Sequence, residues 1–258
     1  MTKIAVSILI TNYNKSFFLK KTIKSCLNQN YKKKEIIVFD DCSTDNSVDI
    51  LKNFEKLKIM INKKKQYKSS PLNQIYGIIE LFKKSKGDII FLLDGDDQFK
   101  RNKIQIVVNE FKKNKDLKFV QDKPYMTEKK RLMFLKKKSH LFSIWPSFYP
   151  TSCMAVKRSF FKKFLNYIEK TKFPNLEIDA RIVMFAYLKN EFIVSDKSLT
   201  LYNYDEYGIT SNYQKYSKNW WKKRNEAFEY LKMLNKKMNK VNKIGPDYYL
   251  TKFINFFI

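Results

Sequence analysis

The first 120 residues alternate short β-rich runs with amphipathic stretches at helical spacing. This is the pattern of βαβ units, because parallel strands need a crossover long enough to hold a helix. Four strands are predicted, over Ile4–Thr11, Glu35–Asp40, Leu57–Ile61 and Asp88–Leu93. Between them, Ser16–Asn28 repeats Leu19, Ile23 and Leu27, and Leu72–Phe82 repeats Leu72, Ile75, Ile79 and Phe82, so each helix has one apolar face for the sheet. Arg101–Lys113 offers Ile104, Val107, Val108 and Phe111 in the same way. Ser43 is expected to cap a helix from about Thr44 to Phe54 by accepting a hydrogen bond from an unpaired backbone amide.

The second half is less regular. Residues 122–150 are basic, aromatic and without a steady period, and read as a loop-rich acceptor region. Beyond them we expect strands over Ser152–Val156, Phe192–Val194 and Leu199–Tyr204, and helices over Ser159–Glu169, Ile178–Leu188 and Trp220–Met238. With 258 residues and no internal repeat or Gly/Ser linker, the chain suits one catalytic domain over 1–215. Its halves would be 1–120 and 121–215, followed by a helical extension over 216–258.

The 52 basic residues exceed the 25 acidic ones by 27. Such an excess can signal nucleic-acid binding through counterion release. Here only Arg101, Arg131, Arg158, Arg181 and Arg224 are arginines, the side chain suited to bidentate phosphate and base recognition, and the lysines are scattered. No nucleic acid is therefore expected as partner. Lysine-rich composition also accompanies AT-rich codons, or attracts anionic headgroups and phosphorylated ligands. Cys26, Cys42 and Cys153 lack any CxxC pattern, which argues against a disulfide framework or a zinc site and fits a reducing cytoplasm. The apolar start reads as a strand, not a leader, and no run reaches the length of a membrane span. The expected location is cytoplasmic, with the apolar end DYYLTKFINFFI left to dock on the core, on another subunit or peripherally on the membrane.

Acidic residues are scarce, so their places are informative. Asp40 and Asp41 end the second predicted strand, and Asp94, Asp96 and Asp97 end the fourth in GDIIFLLDGDDQF. In open α/β sheets, ligands bind beyond the carboxyl ends of strands. Three carboxylates in four residues repel one another, and a hard divalent cation, Mg²⁺ or Mn²⁺, is the simplest remedy.

The segments VSILITNYNK, EIIVFDDCSTDNS, LNQIYGI and GDIIFLLDGDD, in this order and spacing, resemble the family-2 glycosyltransferases of the glycosyltransferase A fold. The resemblance covers about residues 1–120. It implies an α/β fold with a Rossmann-like mixed central sheet flanked by helices, and a helical C-terminal extension. It further implies that Thr11 and Tyr13 line a nucleotide pocket, that Asp41 bonds the base, and that Asp94 and Asp96 are the DxD carboxylates. Asp94 would face the ribose or metal, Asp96 would bind the metal, and Asp97 would stand behind them.

NLEIDARIVMFAYL resembles the family's acidic motif before its acceptor-side helix, and the resemblance implies Asp179 as the base, with Glu177 as the alternative because the acids are separated where many relatives have them adjacent. Inversion, a nucleotide-diphosphate sugar donor (a UDP-sugar first) and a glycan or lipid-linked acceptor in cell-surface polysaccharide or lipopolysaccharide synthesis follow from the same resemblance. Asp45 reads as a helix cap, and the lone His140 as a loop residue. Two readings stay open: a nucleotidyltransferase acting on sugar phosphates, disfavoured because the first turn, TNYNKS, has no glycine, and an inactive sugar-nucleotide-binding module.

Overall fold

A computed structural model describes residues 4–135, 146–206, 208–242 and 244–258. The elements run β1 (Val6–Asn12), α1 (Ser16–Leu27), β2 (Lys34–Asp40), α2 (Ser47–Lys52), β3 (Lys58–Ile61), α3 (Ser70–Lys84), β4 (Ile89–Asp94), β5 (Gln98–Phe99) and α4 (Lys103–Lys113). They continue through β6 (Phe119–Met126), β7 (Arg131–Leu132), β8 (Met154–Lys157), α5 (Arg158–Phe164), α6 (Ile178–Lys189), β9 (Phe192–Tyr202), α7 (Lys218–Lys237) and α8 (Pro246–Phe256). The described strands form one mixed sheet in the order β3-β2-β1-β4-β8-β6-β9-β5, with β7 on β6. The β3-β2-β1-β4 half is parallel, and β8 joins it antiparallel to β4.

Helices cover both faces. Leu19, Ile23, Ile104, Val107, Val108 and Phe111 from α1 and α4 pack on one face. On the other, Leu72, Ile75 and Ile79 of α3 share a core with α5, α6 and Phe228, Leu231 and Leu234 of α7. This double cover explains why the central strands read as continuous apolar runs. The predicted spacings of Leu19–Leu27, Leu72–Phe82 and Ile104–Phe111 thus mark the inward faces of real helices.

Four expectations need correction. The core strand β6 (Phe119–Met126) runs through the first residues, 122–126, of the supposed irregular region, because Asp122 is neutralised there by Lys103: Nζ lies 2.7 Å from the carboxylate, and both side chains are almost fully buried. The two strands predicted around 192–204 are one, β9, held parallel to β6 across a register irregularity near Gln121–Pro124. Ser43 does not cap α2, which begins only at Ser47; its hydroxyl donates to Asp40 at 2.7 Å instead. The helix expected to run to Glu169 ends at Phe164. Asp45 does act at helix starts, accepting from the amides of Ser16 and Ser47. His140 lies outside the described residues. The aromatic end forms α8, which packs on α7, and among the described residues no helix is long and apolar enough to cross a membrane.

Candidate active site

Strand register builds the site. Pairing of β1 with β2 sets Asn12 beside Asp40, and pairing with β4 sets Thr11 beside Asp94, so the acid-bearing ends of both neighbours flank the end of β1. Beyond these ends opens the cavity that holds Thr11, Tyr13, Asp41, Asp94, Asp96, Glu177 and Asp179 together. All six residues singled out from the sequence, and the alternative Glu177, therefore converge across 168 positions of chain, from 11 to 179.

At the floor, Asp94 accepts hydrogen bonds at one oxygen from Thr11 (3.2 Å) and from Gln74 of α3 (2.8 Å). Burial, and then the charge of Asp96, raise its pKa to about 7 against those two bonds. Asp96 is bound 2.8 Å from the Lys15 ammonium, which also grips Asp205. Burial pulls the Lys15 pKa down, but the two carboxylates more than offset it and the net shift is upward. Asp97 is fully buried behind them and receives the Asn203 amide at 2.8 Å. Burial first, and Asp96 and Asp94 after it, hold the Asp97 carboxyl well above the usual range.

The turn after β4 is tight. A Cβ on Gly95 would lie 2.4 Å from the Asn12 side-chain oxygen, so no larger residue fits beside the end of β1 without displacement. Asn12 in turn donates 2.7 Å to Asp40, which receives the Ser43 amide and hydroxyl. Asp41, nearly buried, accepts from Asn62 at 3.0 Å. Tyr13 is half exposed at the rim, with the Lys65 ammonium 3.3 Å from its ring centre.

Asp179, which lines the same cavity, sits in the first turn of α6 and accepts the Ala180 amide at 2.6 Å. Burial, then Glu177, raises its pKa to about 7, with Lys223 opposing. Glu177 is bound by Lys223 of α7. Its carboxylate is therefore neutralised, whereas no lysine or arginine forms an ion pair with Asp179 among the described residues.

Lys15, Gln74, Asp205 and Lys223 had no role in the sequence reading. Their partners are tens to nearly two hundred residues away, and an isolated lysine in a lysine-rich chain carries no signal.

Among the described residues no three of His, Cys, Asp and Glu converge into a metal cage. The arrangement still fits a hard divalent cation. Mg²⁺ and Mn²⁺ sites of this kind take one or two carboxylates and complete their shell with phosphates and water. Lys15 already brings a positive charge to Asp96.

Residues 7–165 match the family model for glycosyl transferase family 2, more than half of the chain. Among curated proteins, the chain is 36% identical over 108 residues to an uncharacterized glycosyltransferase of Haemophilus influenzae, covering 40% of this chain and 41% of that one. It is 30% identical over 100 residues to the putative teichuronic acid biosynthesis glycosyltransferase TuaG of Bacillus subtilis, covering 39% of each. The matches thus span about two fifths of those relatives. Among solved structures, S. aureus TarS 1–349 in complex with UDP-GlcNAc superposes with a TM-score of 0.66 at 16% identity, over 98% of this chain and 70% of that one. A mannosyltransferase from Pyrobaculum calidifontis in complex with GDP-Man and Mn²⁺ gives 0.60 at 13% identity, over 99% of this chain and 70% of that one. The curled mixed sheet with helices on both faces is the glycosyltransferase A fold, and the chain belongs to glycosyl transferase family 2.

Proposed function

We propose that the protein is an inverting, metal-dependent hexosyltransferase that moves a sugar from a nucleoside diphosphate sugar, a UDP-sugar first, to a hydroxyl of a glycan or lipid-linked acceptor. Its setting would be cell-surface polysaccharide or lipopolysaccharide synthesis at the cytoplasmic side of the membrane. The observation that carries this reading is the convergence of Asp94, Asp96 and Asp179 on a single cavity, with Asp179 near enough for the Asp94 charge to add to burial and Glu177 in raising its pKa. Leaving-group stabilisation and proton removal would then be served by carboxylates of one site.

Thr11, Tyr13 and Asp41 line the part of the cavity nearest β1 and β2 and would hold the nucleoside, with Asp41 accepting from the base. Asp94 and Asp96 would hold a divalent cation, which supplies neutralisation of the charge developing on the departing diphosphate. Asp179 takes the proton from the acceptor hydroxyl as that oxygen attacks the anomeric carbon. The bond from that carbon to the diphosphate oxygen breaks, and its electron pair leaves with the nucleoside diphosphate. One displacement inverts the centre, and the base contributes on the order of 10²–10⁴ in rate. Relatives and fold neighbours that act in polysaccharide synthesis or hold UDP, UDP-GlcNAc or GDP-Man with Mn²⁺ support the donor class and the metal.

The direct test is to incubate the protein with a panel of UDP-sugars and Mn²⁺, with oligosaccharide acceptors, and to follow UDP release together with the anomeric configuration of the product. Inverted product that requires Mn²⁺ and vanishes in Asp179→Asn supports the reading. Retained configuration, or full activity in that variant, contradicts it.

A further inference from the structure

The C-terminal helix packs Tyr248 on Phe228 of α7 but turns most of its apolar side chains outward. The side of α8 that faces α7 carries Asp247, Thr251 and Asn255: Asp247 pairs with Arg224, Thr251 accepts from Arg224 at 3.1 Å, and Asn255 donates to the Trp221 carbonyl at 3.0 Å. The side that faces solvent carries Tyr249, Leu250, Phe253, Phe256 and Phe257, exposed to 65, 53, 64, 84 and 68%. At 100° per residue these five fall within one arc of about 120°, a continuous stripe without a charge. Scattered exposed apolar residues are ordinary, but a contiguous aromatic stripe marks an interaction surface.

Its surroundings decide what it meets. The Asn255 bond sets the Phe256–Phe257 end of α8 beside the start of α7, where Tyr216, Trp220 and Trp221 form an aromatic cluster with ring centres 4.7–6.4 Å apart. Cations interleave with these rings: Lys215 lies over Tyr216 at 4.4 Å and Arg224 over Trp220 at 5.4 Å. Lys218 and Lys222 are exposed on the same turns. Residues 207–225 and 248–258 contain no Asp or Glu. The neighbouring acids Asp247 and Glu229 are paired with Arg224 and Lys252. An aromatic stripe rimmed by lysines and free of carboxylates complements a surface that is apolar inside and negative at its rim.

We infer that α8 and the start of α7 form a docking face for an anionic lipid bilayer, with the α8 axis in the interface plane and the Phe253, Phe256 and Phe257 rings among the acyl chains. The chain is thereby oriented as well as held. Ile209, Thr210 and Asn212 line the cavity only a few residues before the Tyr216–Trp221 cluster, and Lys223 of α7 binds Glu177 inside it. On this docking the chain segment that links the aromatic cluster to the cavity lies at the bilayer surface, within reach of a lipid-linked acceptor. This last step rests on the reaction proposed above, whereas the docking face does not.

The test is co-sedimentation of the full chain with vesicles of phosphatidylcholine containing about one third phosphatidylglycerol, and with phosphatidylcholine alone. Two variants are compared: Phe253→Ser/Phe256→Ser/Phe257→Ser, and Lys218→Glu/Lys222→Glu. The wild type is expected to sediment with the anionic vesicles, less so as salt is raised from about 0.1 to 0.5 M. The triple variant should lose at least about tenfold in partition, and the lysine variant should lose the preference for phosphatidylglycerol. Circular dichroism and UDP titration with Mn²⁺ should match wild type in both, since none of the five residues lines the cavity, so a failed docking face and a failed transferase reading give different results. Absence of wild-type sedimentation with either vesicle overturns the inference. So does a wild-type dimer in light scattering that the triple variant converts to monomer without any change in vesicle binding, which would assign the stripe to a second copy of the chain.

Discussion

The Lys15 ammonium lies 2.8 Å from the Asp96 carboxylate and at the same time grips Asp205, tying the first βα turn to the carboxylate pair and to the loop after β9. A cation of the chain's own therefore neutralises a carboxylate proposed to hold the metal. In Lys15→Met, Asp94, Asp96 and Asp205 face one another without that charge. The metal-free variant should lose about 1–2 kcal/mol, kept small because the groups touch solvent, which is about 2–6 °C in Tm. Mn²⁺ should restore most of the loss, so thermal melts with and without Mn²⁺ should show a larger metal response in the variant than in wild type. An equal response would mean that Lys15 and the metal do not share the site.

The raised pKa values of Asp94 and Asp179, both about 7, fix the sign of a pH effect. Between about pH 4 and 7 the folded chain keeps protons that the unfolded chain has released, so these groups favour folding on the acid side and that contribution is lost as pH rises through 7. The metal-free Tm should fall as pH rises from about 4.5 to 7, level off above that, and fall less in Asp179→Asn. On the proposed mechanism transfer needs Asp179 ionised, so its rate should run the other way and rise through about pH 7. A rate that falls over this range would contradict its role as base.

Asp179 and Glu177 are distinguished by charge pairing. Lys223 binds Glu177, so Glu177→Gln should lower turnover about tenfold or less, mainly by shifting its neighbour, whereas Asp179→Asn should lower it by about 10² or more. Steady-state rates of the two variants decide it, and the reverse ranking would move the base to Glu177.

Gly95→Ala puts a methyl group 2.4 Å from the Asn12 side-chain oxygen, in a network that also holds Asp40 and Ser43. The expected cost is about 1–3 kcal/mol, with weakened nucleotide binding because Thr11 and Asn12 must shift. Urea unfolding and UDP titration on the one variant check both effects.

Lys103 and Asp122 form an ion pair that is almost wholly out of solvent. Lys103→Met alone strands a buried carboxylate and should cost about 3–5 kcal/mol, while Lys103→Met/Asp122→Leu should recover a large part of it. Chemical denaturation of single and double variants measures the difference. The same pair explains why the sequence misled at this point.

A strand bearing Asp122, Lys123 and Pro124 lacks the apolar alternation that marks strands, since its charge is neutralised by Lys103, nineteen positions earlier on α4. The break into two strands around Ser195–Ser198 failed similarly: polar residues at a register irregularity interrupt the pattern without interrupting β9. By contrast, the parallel half was legible because its strands are buried on both faces and its helices repeat one apolar face. The placement of Asp94 and Asp96 was legible because an open α/β sheet binds ligands beyond the carboxyl ends of its strands, whereas Asp179 was reached only through the family resemblance, since helix starts favour carboxylates for any reason. Ser43 was misassigned because a serine before a helix and a serine bonded back to a strand-end aspartate have the same local sequence. The outward aromatic stripe of α8 shows only once its packed side is known, because DYYLTKFINFFI is amphipathic whichever face turns inward.

The most direct test of the central claim is calorimetric titration of UDP, and of GDP for comparison, into the purified chain with and without Mn²⁺, beside Asp96→Ala. The expected result is UDP binding that depends on Mn²⁺ and is lost in the variant. Binding of neither nucleotide by the wild type, or UDP binding indifferent to both Mn²⁺ and Asp96, would contradict a metal-assisted UDP-sugar site at the ends of β1, β2 and β4.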